Sequence, residues 1–257
     1  MAKKTYKDES SIRIDTKENI NLIFDKDGRL ILIKADRFKF DNPVHCRMRL
    51  LKNYEINLIL DAGANIGQYA QNVRSMGYKG RIVSFEPLSS AFTELKNNTD
   101  KDPLWEAVNI ALGDTDSKKS INISANSRSS SILEMLPLHL NNSPQSKYKG
   151  KEIVFVKTLD SIFNKYVKPK DRAFLKIDTQ GYEKKIIDCA KKSLKNILGI
   201  QMELSLAPLY KGEVIFIDML NLMGKKGYAL ASLEPGWSIS NGRLLQTDVI
   251  FFKKEII

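Results

Sequence analysis

The stretch Asn57-Leu58-Ile59-Leu60-Asp61-Ala62-Gly63-Ala64-Asn65-Ile66-Gly67-Gln68 decides how the rest of the chain is read. Leu58 to Leu60 is a short, bulky apolar run of the kind buried on both faces in a parallel sheet. It stops at the carboxylate of Asp61. A turn carrying Gly63 and Gly67 follows, and Gln68 to Met76 reads as a helix closed by Gly77. Strand, glycine turn and helix N-terminus together form a cradle for a cofactor, because glycine admits close backbone approach and the first helical amides point at the ligand. The dinucleotide fingerprint G-x-G-x-x-G is not met. Asp61 stands where its first glycine belongs, and a carboxylate there repels a pyrophosphate. It suits a cationic ligand without phosphates, and S-adenosylmethionine (SAM) carries a sulfonium, an amino group and a ribose.

Outward from this stretch, Arg81 to Phe85 reads as the next strand, with Glu86-Pro87 at its tip 25 positions after Asp61. An acid at the end of a second strand of this kind accepts hydrogen bonds from ribose hydroxyls. Ser89 and Ser90 are placed to cap a helix over about Ala91 to Asn97. Trp105 to Leu112 reads as a third strand, turned by Gly113-Asp114. There Ala111, Leu112 or Asp114 is placed for adenine, while an aspartate serving its own β-turn explains Asp114 equally well.

A chain of 257 residues, 42% hydrophobic and 28% charged, suits one large α/β domain or at most two small ones. The two cysteines, Cys46 and Cys189, make neither a disulfide framework nor a metal spacing, which points to a reducing compartment. No apolar run reaches the length of a transmembrane helix, and the first residues lack the apolar core of a signal peptide, so a cytoplasmic location is expected. The net charge of +11 is compatible with an anionic partner or with a lysine-rich solvated surface, the lysines being spread rather than blocked.

Residues 1–10 read as a frayed tail. Ile12 to Ile14 and Asn19 to Phe24 suggest short strands, Asp27-Gly28 a hairpin turn, and Leu30 to Ile33 its return. Pro43 to Asn53 is a helix with proline near its first position; it carries His45, a packing or surface residue rather than a catalyst. The expected organisation is an N-terminal extension over residues 1–52 and a catalytic domain over 53–257. Residues 115–150 form a Ser/Asn-rich insertion inside that domain, either a substrate-side loop or a disordered one.

After the insertion and a strand at Ile153 to Val156, Thr158 caps a helix. Then Ala173-Phe174-Leu175-Lys176-Ile177-Asp178-Thr179-Gln180-Gly181 repeats the opening logic of buried strand, acid and glycine turn. In a doubly wound sheet this fourth strand lies beside the first, across the switch point where ligands bind. Asp178 then faces cofactor and substrate, unless it merely caps the helix beginning near Tyr182 and running to about Lys195. Ile197 to Leu204 is a fifth strand carrying Glu203 near its end, Gly212 and Glu213 open a helix, and Tyr228 to Leu233 is a sixth strand. Leu244 to Phe252, returning after a turn, runs antiparallel.

The ordered motifs D-A-G-A-N-I-G-Q (Asp61 to Gln68), S-F-E-P (Ser84 to Pro87), N-I-A-L-G-D (Asn109 to Asp114) and V-K-T-L-D (Val156 to Asp160) come first. K-I-D-T-Q-G-Y-E (Lys176 to Glu183), M-E-L-S-L-A-P-L-Y-K-G-E (Met202 to Glu213), L-E-P-G-W (Leu233 to Trp237) and G-R-L-L-Q-T-D (Gly242 to Asp248) follow. Together they make the chain resemble the FkbM family of SAM-dependent methyltransferases over roughly residues 45–252. The resemblance implies a Rossmann-like class I methyltransferase sheet of seven strands, mainly parallel with the last antiparallel, and O-methylation of sugars or natural-product hydroxyls. It implies that Asp61, Gly63 and Gly67, with Asn65 between them, cradle the methionine part, that Glu86 holds the ribose and that Asp114 lies by the adenine. Lys211 departs from it, standing where an acid is expected.

Methyl transfer from a sulfonium is an in-line displacement that needs a placed acceptor oxygen and a base for its proton. Asp178 is the expected base, with Glu203 second. The two also leave room for a shared divalent cation such as Mg²⁺, although two carboxylates do not establish a metal site. A nucleic-acid methyltransferase is a weaker reading. The fourth strand ends Ile177-Asp178-Thr179-Gln180 rather than Asp/Asn-Pro-Pro-aromatic, and no Cys follows a Pro. A non-catalytic SAM-fold module is the remaining alternative.

Overall fold

The computed structural model describes residues 43–257 and the backbone of four earlier strands, with side chains described from residue 45 onward. The chain divides into two compact units, Met1–His45 and Cys46–Ile257. In the first, β1 (Lys3–Asp8), β2 (Ser11–Asp15), β3 (Ile20–Asp25) and β4 (Leu30–Ala35) form an antiparallel meander in that order. Residues 3–8 are thus a paired strand rather than a frayed tail, in register with β2 from Lys3 opposite Asp15. The expected Asp27-Gly28 turn lies outside the described residues.

Helix α1 (Pro43–Asn53) leads into the large sheet of the second unit. That sheet contains β5 (Leu58–Ala62), β6 (Arg81–Phe85) and β7 (Trp105–Val108), and later in the chain β11 (Ala173–Ile177), β12 (Ile197–Ser205), β13 (Tyr228–Pro235) and β14 (Gln246–Lys253). The spatial order is β13-β14-β12-β11-β5-β6-β7, and β14 alone runs antiparallel to its neighbours. This is the seven-stranded, mainly parallel sheet with an antiparallel last strand that the motif resemblance implies. Every residue of β5 and β11 is buried. Leu58 and Leu60 pack into the layer formed with α5 (Leu159–Tyr166), α6 (Glu183–Cys189) and α7 (Phe216–Lys225), whereas Ile59 packs with α1 and α2 (Gln68–Ser75). Coverage on both faces explains why the strand lacks polar alternation.

The start of α5 is capped as expected, Thr158 Oγ1 accepting from Ser161 N at 3.2 Å. Helix α3 (Ser89–Thr99) is not capped by its own serines: Glu152 accepts from Ser89 N at 3.1 Å and from Ser89 Oγ at 2.7 Å. The run after Asp178 is shorter than the sequence suggests, a helix at Glu183–Cys189 followed by a 3-10 turn at Ser193–Asn196.

The expected third strand splits. The chain leaves the large sheet after Val108, where Asn109 Nδ2 donates to the carbonyls of Glu86 and Pro87 at 2.9 and 3.0 Å. It resumes as β8 (Ala111–Leu112) in a second, three-stranded sheet with β9 (Ser117–Ser124) and β10 (Tyr148–Lys157), in the order β8-β10-β9. Leu88, Ala91, Ala111, Ile121, Val154 and Val156 bury the inner face of this sheet. The Ser/Asn-rich insertion between β9 and β10 is ordered by its hydroxyls. Ser124 Oγ donates to Ser146 O at 2.8 Å and Asn126 Nδ2 to Ser146 Oγ at 2.9 Å, while Ser143 and Ser146 share a bond of 2.7 Å. A composition that suggests a solvated loop instead ties a buried polar knot, each member satisfied by another.

Gly199 on β12 leaves no room for a side chain, since a Cβ there would lie 2.6 Å from the Phe252 ring and 2.8 Å from Phe174. Gly199→Ala should cost about 1–3 kcal/mol through overpacking and lower the thermal midpoint by several degrees, read by calorimetry. An unchanged midpoint would show that the aromatic layer can yield.

Candidate active site

The carboxyl ends of β5, β6, β11 and β12 meet in one place. After β5, the amides of Gly63 and Ala64 both donate to Phe85 O, at 3.0 and 3.1 Å, which pins the turn to β6. Gly63 has φ +74°, and a Cβ there would sit 1.9 Å from Asp178 O. Only glycine lets the β5 and β11 turns touch. Gly67 serves packing instead. Its φ is +94°, and a Cβ would strike the Trp105 ring at 2.6 Å, so the bare backbone allows α2 to start over that indole. Between them Asn65 adopts φ +49° and its amide donates to Glu86 Oε2 at 2.7 Å. Glu86 Oε1 accepts from Leu88 N at 2.9 Å. Burial pushes the Glu86 carboxyl up to about 7 against the opposing pull of these two amides.

Asp61 lies beneath this turn rather than in it. It is fully buried, its Oδ2 accepts from Ser84 Oγ at 3.1 Å, and Ser84 Oγ accepts from Trp105 Nε1 at 2.9 Å. Lys176 Nζ stands 3.3 Å from Asp61 Oδ1 and 3.4 Å from Asp178 Oδ2, with the Lys176 side chain only 8% exposed. Burial lowers the Lys176 ammonium, but Asp61, Asp178 and Asp248 more than offset that and hold it above the ordinary lysine range. One lysine thus joins the tips of β5 and β11.

Two cavities open above. The first is walled by Leu88, Ala111, Leu112, Ile121 and Ile132, with Glu86, Ser127, Ser130, Thr179 and Tyr182 as polar features. The second is more polar and includes Arg47, Tyr69, Lys176, Gln201, Glu203 and Asp248. Gly63, Asn65, Arg128 and Asp178 line both, so Asp178 stands at the junction.

On the second cavity's wall, Gln180 Nε2 donates to Asp178 Oδ1 and to Glu203 Oε2, each at 2.7 Å. Tyr210 Oη donates to Gln180 Oε1 at 2.7 Å and so fixes which end of the amide faces the acids. Glu203 Oε2 also accepts from Gln246 Nε2 at 2.9 Å. Glu203 sits directly opposite Asp248 across the β12–β14 ladder. Burial, then the charges of Asp178 and Asp248, raises the Glu203 carboxyl well above its ordinary value. Asp248 is raised by burial as well, and its Oδ1 accepts from Gln201 Nε2 at 3.0 Å. Among the described residues, no group of three His, Cys, Asp or Glu is placed to hold a metal ion. Between Asp178 and Glu203 stands an amide N–H₂, a donor where a cation needs an oxygen.

The Methyltransferase FkbM domain matches residues 61–230, which is well over half of the chain. The chain belongs to the FkbM methyltransferase family. No curated protein matches the chain. Among solved structures, an FkbM methyltransferase from Methylobacillus flagellatus is similar at 13% identity and a TM-score of 0.47, covering 77% of this chain and 44% of its own. This chain therefore spans less than half the length of that protein. A magnesium protoporphyrin IX methyltransferase from Synechocystis, solved with bound SAM, is similar at 8% identity and a TM-score of 0.46, covering 82% and 78%. An rRNA methylase from Streptococcus thermophilus is similar at 12% and 0.44, covering 83% and 97%.

Of the residues singled out from FkbM motifs, Gly63, Asn65, Glu86, Asp178 and Glu203 line the cavities, while Asp61, Gly67 and Asp114 do not. Asp114 is bound by Lys119, whose Nζ also reaches Tyr182 Oη at 2.7 Å. Lys211, the departure from the family pattern, pairs with Glu134 at 3.1 Å on the surface. His45 is exposed. His139 is buried between Tyr210 and Trp237, its Nδ1 without a hydrogen-bond partner among the described residues, and burial pushes its imidazole down to about 4. Sequence reasoning gave no part to Lys176, Gln180 or Asp248. A lysine inside the otherwise apolar run Ala173 to Ile177 was the visible signal for the first.

Lys176→Met would leave Asp61 charged and uncompensated in the interior, at a cost of about 3–5 kcal/mol in denaturant unfolding. The double change Asp61→Asn with Lys176→Met should recover much of that loss. Equal destabilisation of the single and double variants would mean that the pair is not coupled.

Proposed function

We propose that this chain transfers a methyl group from S-adenosylmethionine to a hydroxyl of a sugar, glycan or natural-product acceptor. The observation that carries the reading is Asp178, a carboxylate at the junction of an apolar cavity and a polar one. The first cavity suits the nucleoside. Its apolar walls match a purine face, the bare Gly63 backbone admits close approach, and each Glu86 oxygen, with one amide N–H already bound, keeps a lone pair for a ribose hydroxyl. The cofactor, when bound, supplies an electrophilic methyl group on its sulfonium. Asp61 acts from below through Lys176 and the Gly63 turn rather than by touching the ligand.

The acceptor enters the second cavity. Its hydroxyl proton goes to the Asp178 carboxylate, which Gln180 and Lys176 hold in place. Burial and the charges of Asp178 and Asp248 favour the protonated form of Glu203. Its Oε2 already accepts two amide N–H groups, so Oε1 is the oxygen left to meet a second acceptor hydroxyl. The two neighbouring acids thus sit in differing environments, which is how one site divides proton transfer from positioning.

Asp178→Asn should lower methyl transfer by about 10²–10⁴-fold, measured as S-adenosylhomocysteine release with a panel of hydroxylated acceptors, while SAM affinity stays within a few fold. A variant as fast as the wild type would remove Asp178 from the chemistry. Ribose recognition requires ionised Glu86, whose raised value means that it protonates as pH falls through about 7. SAM affinity by calorimetry should therefore weaken below neutral pH, approaching tenfold per unit. Glu86→Gln should bind about tenfold or more weakly and lose the pH slope. A slope that survives the substitution would assign it to another group.

A further inference from the structure

We propose that the outer face of the β8-β10-β9 sheet docks this protein on an anionic lipid surface. The inner face of that sheet is spent on the wall of the first cavity, through Ile121, and on the start of α3 through Val154 and Val156. An antiparallel pair such as β9 and β10, with one face in the core, turns polar residues to water on the other. Here the outward positions of β10 carry Ile153, 65% exposed, and Phe155, 57% exposed. They are successive outward residues of one strand, so their side chains form a continuous apolar spot rather than two scattered ones.

Lysines lie beside the spot. Lys118 lies directly opposite Phe155 in the β9–β10 ladder, and its ammonium stands 4.8 Å from the centre of that ring. Lys149 and Lys151, exposed on the same strand, make no ion pair among the described residues. Of the acids nearby, Asp114 pairs with Lys119 and Asp116 with Lys157, while Glu152, on the opposite side of β10 from Ile153, accepts from Ser89 and keeps its charge. The outward face is therefore cationic, in a chain of net charge +11.

The combination selects among anionic partners. A protein interface excludes lysine from its centre, but here Lys118 lies over Phe155 and Lys151 is the next outward residue before Ile153. A single-stranded nucleic acid asks for several stacking rings, and this spot has one ring beside an aliphatic chain. Aliphatic and aromatic side chains beside flexible lysines match the boundary of a bilayer, where the apolar tips enter the acyl region and the ammonium groups stay with the phosphates. Such docking would place the back of the first cavity's wall on the membrane, independently of what that cavity binds.

The test is co-sedimentation of the full chain with phosphatidylcholine vesicles, with and without phosphatidylglycerol. Two double variants accompany it, Ile153→Ser with Phe155→Ser and Lys149→Glu with Lys151→Glu. All four positions are exposed, and thermal unfolding checks that the fold is kept. The expected result is binding to the phosphatidylglycerol vesicles only, reduced at least about tenfold by each double variant. The proposal is overturned if the wild type ignores anionic vesicles, or if both variants bind them as well as it does. It is equally overturned if the variants weaken binding to a duplex or single-stranded RNA while leaving vesicle binding intact.

Discussion

The buried pair of Asp61 and Lys176 is the constraint on which the rest of the site depends. The two residues are direct partners across the parallel β5–β11 ladder, so their meeting is set by strand register and not by loop conformation. A carboxylate with no exposure to water is tolerable only beside a cation. The cation is also within reach of Asp178 and of Gly63 O. Fixing one ammonium therefore fixes the ends of two strands, the turn above them and the acid between the cavities. Ser84 and Trp105 extend the same network sideways to β6 and β7.

Above that layer the chemistry is governed by how few charges the acids can carry together. Asp178, Glu203 and Asp248 share one polar cavity, and two of the three are pushed toward their protonated forms by burial and by each other. Gln180, held by Tyr210, places one amide nitrogen between two of these acids. It does so from a left-handed backbone conformation, φ +55°, that a glutamine adopts only when its surroundings impose it. Asn65 and Ser127, on the other side of the junction, are left-handed too. Their side chains meet, Asn65 Nδ2 donating to Ser127 Oγ at 3.2 Å, which links the turn after β5 to the insertion. Strain of this kind gathers where a site is held in one shape.

Much of this was legible in the sequence. The β5, β6, β11 and β12 segments are apolar runs of strand length, each with an acid at or near its end, and that pattern alone puts Asp61, Glu86, Asp178 and Glu203 on one edge of a sheet. What the pattern could not give was depth. Asp61 and Asp178 read alike, yet one lies under the turn and the other above it, because a residue still inside the ladder turns its side chain onto a covered face of the sheet and one just past it does not. The split of Trp105 to Leu112 was hidden because Asn109 breaks the strand only through hydrogen bonds to carbonyls of the neighbouring turn. The insertion was misleading for a related reason: serine and asparagine favour loops locally, but here they satisfy one another across 22 positions, from Ser124 to Ser146. Asp248 went unremarked because only pairing of β14 with β12 brings it opposite Glu203.

The central claim is that the sheet's carboxyl edge builds a nucleoside cavity and an acceptor cavity that meet at Asp178. A crystal structure with S-adenosylhomocysteine tests it most directly. Adenine is expected against Leu112 and Ile121, the ribose hydroxyls on Glu86, and the sulfur directed toward Asp178. A nucleoside in the polar cavity beside Glu203 and Asp248, or bound away from Glu86 altogether, would contradict it.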